Sequence, residues 1–367
     1  MYREEFPVTK NLVYLNHAAV APLCRRAAVA MQQLAQDALD FGSLHYADWM
    51  AAYEGLRRST ARLINSTPQE IAIVKNTSEG IAIVATGIDW KPRDIVVAFR
   101  EEFPANYFPW VALESRGVEI RWLSVFDDPE RINEATKGAR MLAISFVQYL
   151  SGYRVSLEQI GEICSRNGCL FVVDAIQGMG AFPIDVRAAK IDALSADGHK
   201  WMVGPEGCGV LYVRQEVQEQ IKPIQIGWTN FATYADYASR DMTLRPDAGR
   251  YESGTLNTIG CYGLKAAIEF LLEVGIENVS AKVQSLGDRL WRGAQEIGFV
   301  LLGSRSPETG AGIVSIQKPG IEAAYIVKKL KEKGFIAAPR QGWVRLSPHF
   351  YIDTEEIDRL VDELRAF

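Results

Sequence analysis

The 367-residue sequence has few residues of the two types that most often hold metals or form disulfides. It contains five cysteines, at positions 24, 164, 169, 208 and 261, and none of them belongs to a Cys-x-x-Cys pair. Their spacing is not that of a disulfide framework. The four histidines are too widely scattered to predict a metal site. We therefore expect a reduced protein without a metal centre.

Long apolar runs and an excess of positive charge are also absent. No stretch approaches the roughly 18 apolar residues of a membrane-spanning helix, and the first residues, MYREEFPVTK, lack an apolar signal core. The formal net charge is −5 at pH 7, so no basic surface of the kind that binds nucleic acid is expected. These absences predict a cytoplasmic protein that binds neither a membrane nor nucleic acid.

The composition is that of a large folded protein, with 48% hydrophobic and 23% charged residues. Between Ile71 and Val213, short apolar runs alternate with helical patterns; the runs include Ile95–Phe99 and Gly209–Val213, and one helix is predicted over about 106–115. A further helix is predicted over about 261–274. Repeated strand–helix units imply right-handed crossovers and a mostly parallel sheet that is covered on both faces. The predicted fold class is therefore α/β. From Val300 onward, short strands and helices predict a smaller α+β layer.

The stretch Leu170–Val213 carries the clearest chemical pattern. One apolar strand ends in Asp174, and the next ends in the run Asp197-Gly-His-Lys200. The ends of buried strands in open α/β sheets line ligand crevices. An acid and a lysine at such ends suit pyridoxal phosphate, because the lysine holds its aldehyde as a Schiff base and the acid keeps its pyridine nitrogen protonated. The alternative is that Asp174 caps a turn and Lys200 is a solvated loop residue.

The segments VVDAIQ and ADGHKWMVGPEG, in that order, resemble the class V aminotransferases, a family of fold-type I enzymes that depend on pyridoxal phosphate. The family includes cysteine desulfurases, kynureninases, isopenicillin N epimerase-like proteins and small-molecule transaminases. The resemblance runs from Tyr14 to the C-terminus. It implies a large cofactor-binding domain over residues 17–272 with a mostly parallel seven-stranded sheet. Residues 1–16 and 273–367 would form the smaller α+β domain.

An anion site is predicted where a helix follows an early strand. The apolar run Ile71–Val74 predicts the strand, and a polar loop leads from it into the helix. Free N–H groups and the helix dipole attract an anion at such a place. Thr77 and Ser78 are therefore predicted to bind the phosphate of the cofactor, and the segment also resembles the family's phosphate loop. An ordinary helix cap is the alternative.

The resemblance implies further contacts with the cofactor. Asp174 would hold the pyridine nitrogen, Gln177 would bond the ring hydroxyl, and His199 would belong to the surroundings of the phosphate or the lysine. A packed role for His199 is the alternative. Asp197 stands where cysteine desulfurases place a phosphate-binding serine, and a second anion is unfavourable beside a phosphate. Ser195 is a substitute only if its side chain faces the right way.

Contacts with the substrate are implied in the same way. Phe103 is the ring expected over the pyridine, with core packing as the alternative, and a phenylalanine cannot move protons. Arg345 matches the arginine that binds the substrate carboxylate, for which a guanidinium fork is well suited. Tyr149 stands where relatives carry a polar residue near the substrate. His17, in a segment that the family places near the substrate, is either an acid or an ordinary loop histidine.

The chain after Val213 is long and irregular, which is typical of a functional or interface segment. Its turn Arg250–Asn257 resembles the turn that family members send across a dimer interface to the neighbour's phosphate. Thr255 is the phosphate ligand in that comparison. We therefore predict a homodimer with composite active sites.

The sequence leaves the reaction open. Cysteine desulfurases carry a reactive cysteine on a loop before the carboxylate arginine, and residues 336–343 contain none, which argues against persulfide chemistry. We expect a small amino acid or related amine as substrate, and transamination or C–S or C–C lyase chemistry, with epimerisation as the alternative. The sequence does not predict an NAD-binding site, because the glycines at 204, 207 and 209 precede a strand, whereas the NAD-binding motif follows a strand and leads into a helix. A non-catalytic cofactor sensor would need an output domain that the fold leaves no room for.

Overall fold

The computed structural model describes residues 2–367. The strands are β1 (Val13–Tyr14), β2 (Ile71–Val74), β3 (Ile95–Phe99), β4 (Glu119–Leu123), β5 (Met141–Ser145), β6 (Leu170–Asp174), β7 (Ala193–Asp197), β8 (Gly209–Val213), β9 (Val300–Leu301), β10 (Val314–Gln317), β11 (Phe335–Ile336), β12 (Ala338–Arg340) and β13 (Trp343–Leu346). The α-helices are α1 (Arg25–Phe41), α2 (Tyr46–Ile64), α3 (Thr77–Gly87), α4 (Phe108–Val111), α5 (Pro129–Thr136), α6 (Leu157–Asn167), α7 (Thr258–Val274), α8 (Ile276–Glu296), α9 (Ala323–Glu332) and α10 (Thr354–Leu364). Within residues 2–367, none of the helices combines the length and apolar character that crossing a membrane requires.

Seven strands form one sheet, in the order β2-β8-β7-β6-β5-β3-β4. Five adjacent strands, in the spatial order β4-β3-β5-β6-β7, pair in parallel. Strand β8 runs antiparallel to both of its neighbours, β2 and β7. The predicted α/β fold with a mostly parallel sheet is confirmed. Because parallel strands end at the same edge of a sheet, the residues that follow them come together there.

Each face of this sheet has its own hydrophobic core. Val97 and Val173 belong to one core, and their chain neighbours Val96 and Val172 belong to the other. Strands that are buried on both faces need continuous apolar runs, and these runs made the strands visible in the sequence. Helix α3 packs on the second face, whereas α1, α2, α6 and α7 cover the first.

Two predicted helices differ from those observed, for local reasons. Helix α7 begins earlier than predicted, at Thr258, because the side chain of Asn257 accepts a backbone hydrogen bond and caps it. The helix predicted over 106–115 is broken into the short α4 between two 3₁₀ turns. Pro104 and Pro109 each stand at the start of one of these pieces, where a missing N–H is tolerated.

Two smaller sheets are built from the remaining strands. The four-stranded sheet has the order β12-β13-β10-β9, and β1 pairs in parallel with β11. Strand β12 was not predicted, since Pro339 within it conceals the strand pattern. All seven strands of the large sheet lie within residues 17–272, and those of the smaller sheets lie outside this range. The division into two domains at these limits stays a prediction.

Candidate active site

The ends of β6 and β7 and the start of α3 border one cavity of about 420 Å³. Ten of the twelve residues predicted from the sequence line it. They are Thr77, Ser78, Phe103, Tyr149, Asp174, Gln177, Asp197, His199, Lys200 and Arg345. The fold therefore brings together side chains from segments that are far apart in the sequence.

Lys200 is a buried amine in this cavity. Its Nζ lies 5.6 Å from the centroid of the Phe103 ring. Burial lowers the pKa of Lys200 to about 8, an effect that the charge of Asp174 opposes and that of Arg345 strengthens. An amine with this pKa is partly neutral at neutral pH, so it can attack an aldehyde and accept a proton.

Asp174 is a buried acid in the same cavity. Its Oδ1 accepts a hydrogen bond of 3.1 Å from the backbone N–H of Ile176. Burial raises the pKa of Asp174 to about 6, and both this hydrogen bond and the charge of Lys200 oppose the rise. A cation against the carboxylate would offset the cost of burying its charge. A protonated pyridine nitrogen is such a cation, so this side of the cavity fits pyridoxal phosphate.

Gln177 is held in one orientation by both ends of its amide. Its Nε2 donates to the carbonyl of Ala18 at 3.0 Å, and its Oε1 accepts from the indole N–H of Trp201 at 2.9 Å. One N–H of the amide remains for a further acceptor. The phenolic oxygen of the cofactor ring is an acceptor of this kind.

The start of α3 forms the other end of the cavity. The Asn76 side chain caps the helix by accepting from the N–H of Glu79. Thr77 and Ser78 are the first helical residues, and their N–H groups have no partner within the helix. The Thr77 hydroxyl also accepts from the N–H of Asp197 at 2.9 Å, which ties the helix to the end of β7. This arrangement fits a phosphate group.

Asp197 and His199 adjoin each other at the cavity. The Nδ1 of His199 lies 3.1 Å from Oδ2 of Asp197, and Oδ1 of Asp197 is buried without a partner among residues 2–367. Nδ1 of His199 is likewise buried without a hydrogen-bond partner among residues 2–367. Ser195 does not line the cavity, because its hydroxyl donates to the carbonyl of Val210. It therefore does not replace the serine of the desulfurases.

Phe103 and Tyr149 are the aromatic side chains that line the cavity. Their rings meet edge to face, with centroids 5.2 Å apart and an interplanar angle of 72°. Phe103 is 44% exposed, which does not match the alternative of core packing. The hydroxyl of Tyr149 accepts a hydrogen bond of 2.8 Å from Gln341.

Arg345, on β13, is a buried guanidinium with unused donors. Its Nη1 donates to the carbonyl of Tyr149 at 2.8 Å, and its Nε is buried without a partner among residues 2–367. Burial, together with the positive charge of Arg340, lowers the pKa of Arg345 to about 10. A substrate carboxylate would supply both an acceptor and a counter-charge.

His17 does not reach the cavity. Its ring is buried, with Nδ1 2.8 Å from the carbonyl of Ser347 and Nε2 2.6 Å from the hydroxyl of Tyr351. The ring packs against His349, which bonds the carbonyl of Trp201 at 3.0 Å. We call His17, Trp201, His349 and Tyr351 the histidine cluster. Because both nitrogens of His17 are engaged inside the protein, the predicted contact with the substrate is not made in this structure.

Thr255 lines a separate cavity of about 200 Å³, beside Lys75 and Glu79. Its predicted contact is with the phosphate of a neighbouring subunit, which a single chain does not contain. That role stays a prediction.

Several residues that line the cavity were not predicted from the sequence, and Arg340 is the one among them with a charged side chain. The others are Ala18, Ala19, Val20, Asn76, Ala105 and Ile176. Arg340 ends the short strand β12, which pairs with the strand of Arg345. Recognising the hairpin from Gln341-Gly342, between the two arginines, would have placed Arg340 near Arg345.

All five cysteines are buried, and none of them lines this cavity. The loop before Arg345 is the tight hairpin between β12 and β13. The cavity therefore contains no thiol that could accept sulfur from a substrate.

Comparisons with known proteins point to one family. A family model described as aminotransferase class V matches residues 13–360. A probable cysteine desulfurase of Pyrococcus abyssi is 30% identical over 99% of this chain and 96% of its own length. An uncharacterized aminotransferase of Bacillus subtilis is 29% identical over 100% of this chain and 97% of its own.

Solved structures agree with this similarity over the whole chain. The apo structure of a cysteine desulfurase from Thermococcus onnurineus superposes with a TM-score of 0.92 at 26% identity and covers 100% of this chain and 96% of that one. The cystine C–S lyase C-DES, in complex with its product cysteine persulfide, has a TM-score of 0.91 at 25% identity and 99% coverage of both chains. With its lysine, its acid and its helix start around one cavity, the chain belongs to the class V aminotransferases and is an enzyme that uses pyridoxal phosphate.

Proposed function

We propose that the enzyme is a C–S lyase, which eliminates a sulfur-containing group from Cβ of an amino acid. The observation that supports this proposal is the set of residues that line the cavity. Lys200 among them is a partly neutral base, and none of the five cysteines is there to receive sulfur. Relatives named cysteine desulfurase and cystine C–S lyase support sulfur-containing substrates. The hairpin before Arg345 supports elimination over transfer of sulfur to the enzyme.

In this reaction, the chain's own residues bind the substrate and move its protons. Arg345 binds the α-carboxylate through its unused donors. Lys200 removes the proton from Cα, and the resulting ammonium can return a proton to the departing sulfur. When bound, pyridoxal phosphate withdraws electrons from Cα, and Asp174 supports this by holding the ring nitrogen protonated.

The aromatic residues Phe103 and Tyr149 restrict the choice of reaction. Epimerisation with two bases needs a group that delivers a proton to the face of Cα opposite Lys200. Phe103 has no proton to give, whereas Tyr149 accepts a hydrogen bond from Gln341 and keeps its own O–H proton. Epimerisation would need Tyr149 as a second acid, whereas elimination needs only the buried lysine, so elimination is better supported.

Product analysis tests the proposed reaction. The purified holoenzyme is supplied with L-cystine, L-cysteine and L-alanine, and pyruvate, alanine and sulfane sulfur are measured. A C–S lyase forms pyruvate and ammonia, whereas a desulfurase forms alanine. Alanine as the main product, or formation of a keto acid with the sulfur retained, would replace the proposal.

The predicted homodimer is supported by how the chain holds its 250–257 turn. Glu252 is buried and pairs with Arg57 at 2.5 and 2.8 Å, and its Oε1 accepts from the N–H of Ile73 at 2.7 Å. Gly254 and Thr255 beside it are partly or fully exposed. The turn is thus presented in a defined conformation, as a contact with a second subunit requires.

Subunit mixing tests the composite site. Lys200→Ala and Thr255→Ala proteins are each purified, mixed and allowed to exchange subunits. If Thr255 serves the neighbour's phosphate, one site of each mixed dimer keeps both residues, and activity exceeds the mean of the two unmixed proteins. A monomer by light scattering that holds stoichiometric cofactor would reject the composite site.

A further inference from the structure

Glu102 is a buried carboxyl group that the chemistry described above does not use. It follows β3 and is 6% exposed. Its Oε1 accepts hydrogen bonds from the backbone N–H of Ser145 at 2.7 Å and from Nε2 of Gln148 at 3.1 Å. Its Oε2 is bonded to the hydroxyl of Ser145. One side chain thus satisfies three polar groups from another part of the chain.

Each partner of Glu102 is next to a residue of the catalytic cavity. Ser145 ends β5 and is paired in register with Asp174 on β6. Gln148 immediately precedes Tyr149, and Glu102 immediately precedes Phe103. The rings of Phe103 and Tyr149 are in contact across the two loops. The carboxyl group therefore lies at the junction of the strand end that carries the acid and the two loops that carry the aromatic side chains.

We propose that Glu102 is a positioning residue, which holds Phe103 and Tyr149 in place around the cofactor ring by tying their loops to the strand beside Asp174. This inference depends on the cofactor and not on the reaction that the enzyme catalyses. Glu102 lines a neighbouring cavity, and it is not among the residues that line the catalytic one. It therefore acts through the loops and not by touching the substrate.

A carboxyl group is better suited to this position than an amide. The N–H of Ser145 and the amide of Gln148 are donors, and both meet the same oxygen. The Ser145 hydroxyl can donate to an ionised Glu102 or accept from a protonated one. Burial raises the pKa of Glu102 to about 7, and the negative charge of Asp174 adds to the rise. The hydrogen bonds persist in either protonation state, so the loops stay tied when the proton is lost.

The glutamine variant Glu102→Gln removes this adaptability while keeping the volume of the side chain. The amide can still accept from the Ser145 N–H and donate to the Ser145 hydroxyl, but it brings a second N–H to a buried position where the carboxyl group had none. We expect the dissociation constant for pyridoxal phosphate to rise about tenfold, because burying a further donor displaces the loops from their wild-type positions. The circular dichroism of the bound cofactor near its visible band should weaken, because Phe103 no longer holds one orientation over the ring.

Glu101→Gln is the matched control. Glu101 is the neighbouring acid, and its carboxylate bonds the hydroxyl of Ser124 and the N–H of Val125, away from the catalytic cavity. This variant should keep the wild-type dissociation constant and dichroism. Thermal unfolding of the apoproteins measures general damage separately. A shift of the dissociation constant and dichroism in Glu102→Gln, with an apoprotein midpoint close to that of the control, supports positioning.

Two further variants keep the test decisive. If Glu102→Gln does not fold, Ser145→Ala removes one partner of the carboxyl group without altering the backbone donor, and it should weaken the dichroism in the same direction. The exchange Glu102→Gln with Gln148→Glu restores a carboxylate and an amide in contact and should recover part of the affinity. The inference is overturned if Glu102→Gln and Ser145→Ala both match the Glu101→Gln control in cofactor affinity and dichroism. It is also overturned if their losses merely follow the apoprotein midpoint.

Discussion

The catalytic cavity and the histidine cluster behind it are both buried and polar, but they satisfy their polar groups differently. In the cavity, Oδ1 of Asp197 and Nε of Arg345 have no partner among residues 2–367. In the histidine cluster, both ring nitrogens of His17 and His349 lie within hydrogen-bond distance of a partner. Buried polar groups are nearly always paired in folded proteins. The unpaired groups of the cavity are thus available to a ligand, whereas the paired groups of the histidine cluster support the surrounding structure.

Lys200→Ala should have the largest effect on the cavity side of this comparison. The variant loses the amine that we propose binds the cofactor covalently and moves the Cα proton, so activity should fall at least about 10⁴-fold. Borohydride reduction followed by peptide mapping should label Lys200 in the wild type. Lys222→Ala, an exposed lysine of the same chain, serves as the control and should keep its activity. A reduced adduct on another lysine would contradict the assignment.

Asp174→Asn should have the next largest effect. An amide cannot hold the pyridine nitrogen protonated, so the rate should fall about 10²–10³-fold, as for other losses of preorganised charge. The midpoint of thermal unfolding should stay near the wild-type value, because the buried charge is removed along with its desolvation cost. Activity within tenfold of wild type would show that Asp174 does not have this role.

Arg345→Lys distinguishes the two arginines of the cavity. A lysine keeps the charge but loses the bidentate fork, so KM should rise about tenfold with a smaller change in kcat. Arg340→Lys, on an exposed side chain, should change KM less for substrates without a second acidic group. Equal effects of the two substitutions would mean that the unpaired Nε of Arg345 does not mark the carboxylate site.

His349→Gln should affect stability more than catalysis. It therefore tests the histidine cluster, as the preceding variants test the catalytic cavity. Loss of its paired nitrogens should lower the free energy of unfolding at pH 7.5 by about 1–3 kcal/mol. Burial lowers the pKa of His349 to about 4, and it lowers the pKa of His17 well below its usual value. Both rings are thus neutral in the folded protein.

The sign of the pH dependence follows from these lowered pKa values. An unfolded histidine takes up a proton below about pH 6.5, so the stability that neutral rings contribute is complete above that pH and is lost as the pH falls. Urea unfolding at pH 7.5 and 5.5 should show a smaller loss in His349→Gln than in wild type.

Most of the large sheet was predictable because its strands are buried on both faces. Ile95–Phe99 and Gly209–Val213 have the predicted limits, since an apolar run without alternation is visible in the sequence alone. Asp174 and Lys200 were predictable for a related reason: each follows such a run, and strand ends meet at one edge of a parallel sheet. For these strands and the residues at their ends, the local sequence pattern and the arrangement of the sheet lead to the same prediction.

Contacts between distant segments were not predictable from local pattern. His17 stands beside polar loop residues in the sequence, but its ring turns toward Tyr351 in a segment that only the fold brings near. Arg340 was missed because Pro339 conceals β12. The direction of the Ser195 side chain depends on which face of β7 packs against α3. The residues around Ser195 in the sequence do not show which face that is.

The pairing of β1 with β11 has a consequence for the order in which the protein is completed. His17 bonds Ser347 across 330 positions, and the carbonyl of Ala18, next to His17, holds Gln177 in its orientation. During synthesis the N-terminal arm therefore waits for nearly the whole chain before it can take its final place. Contacts of such long range close slowly, because loop-closure entropy is lost before the contact forms. We expect the large sheet, whose contacts are of shorter range, to form before the N-terminal arm completes the border of the cavity.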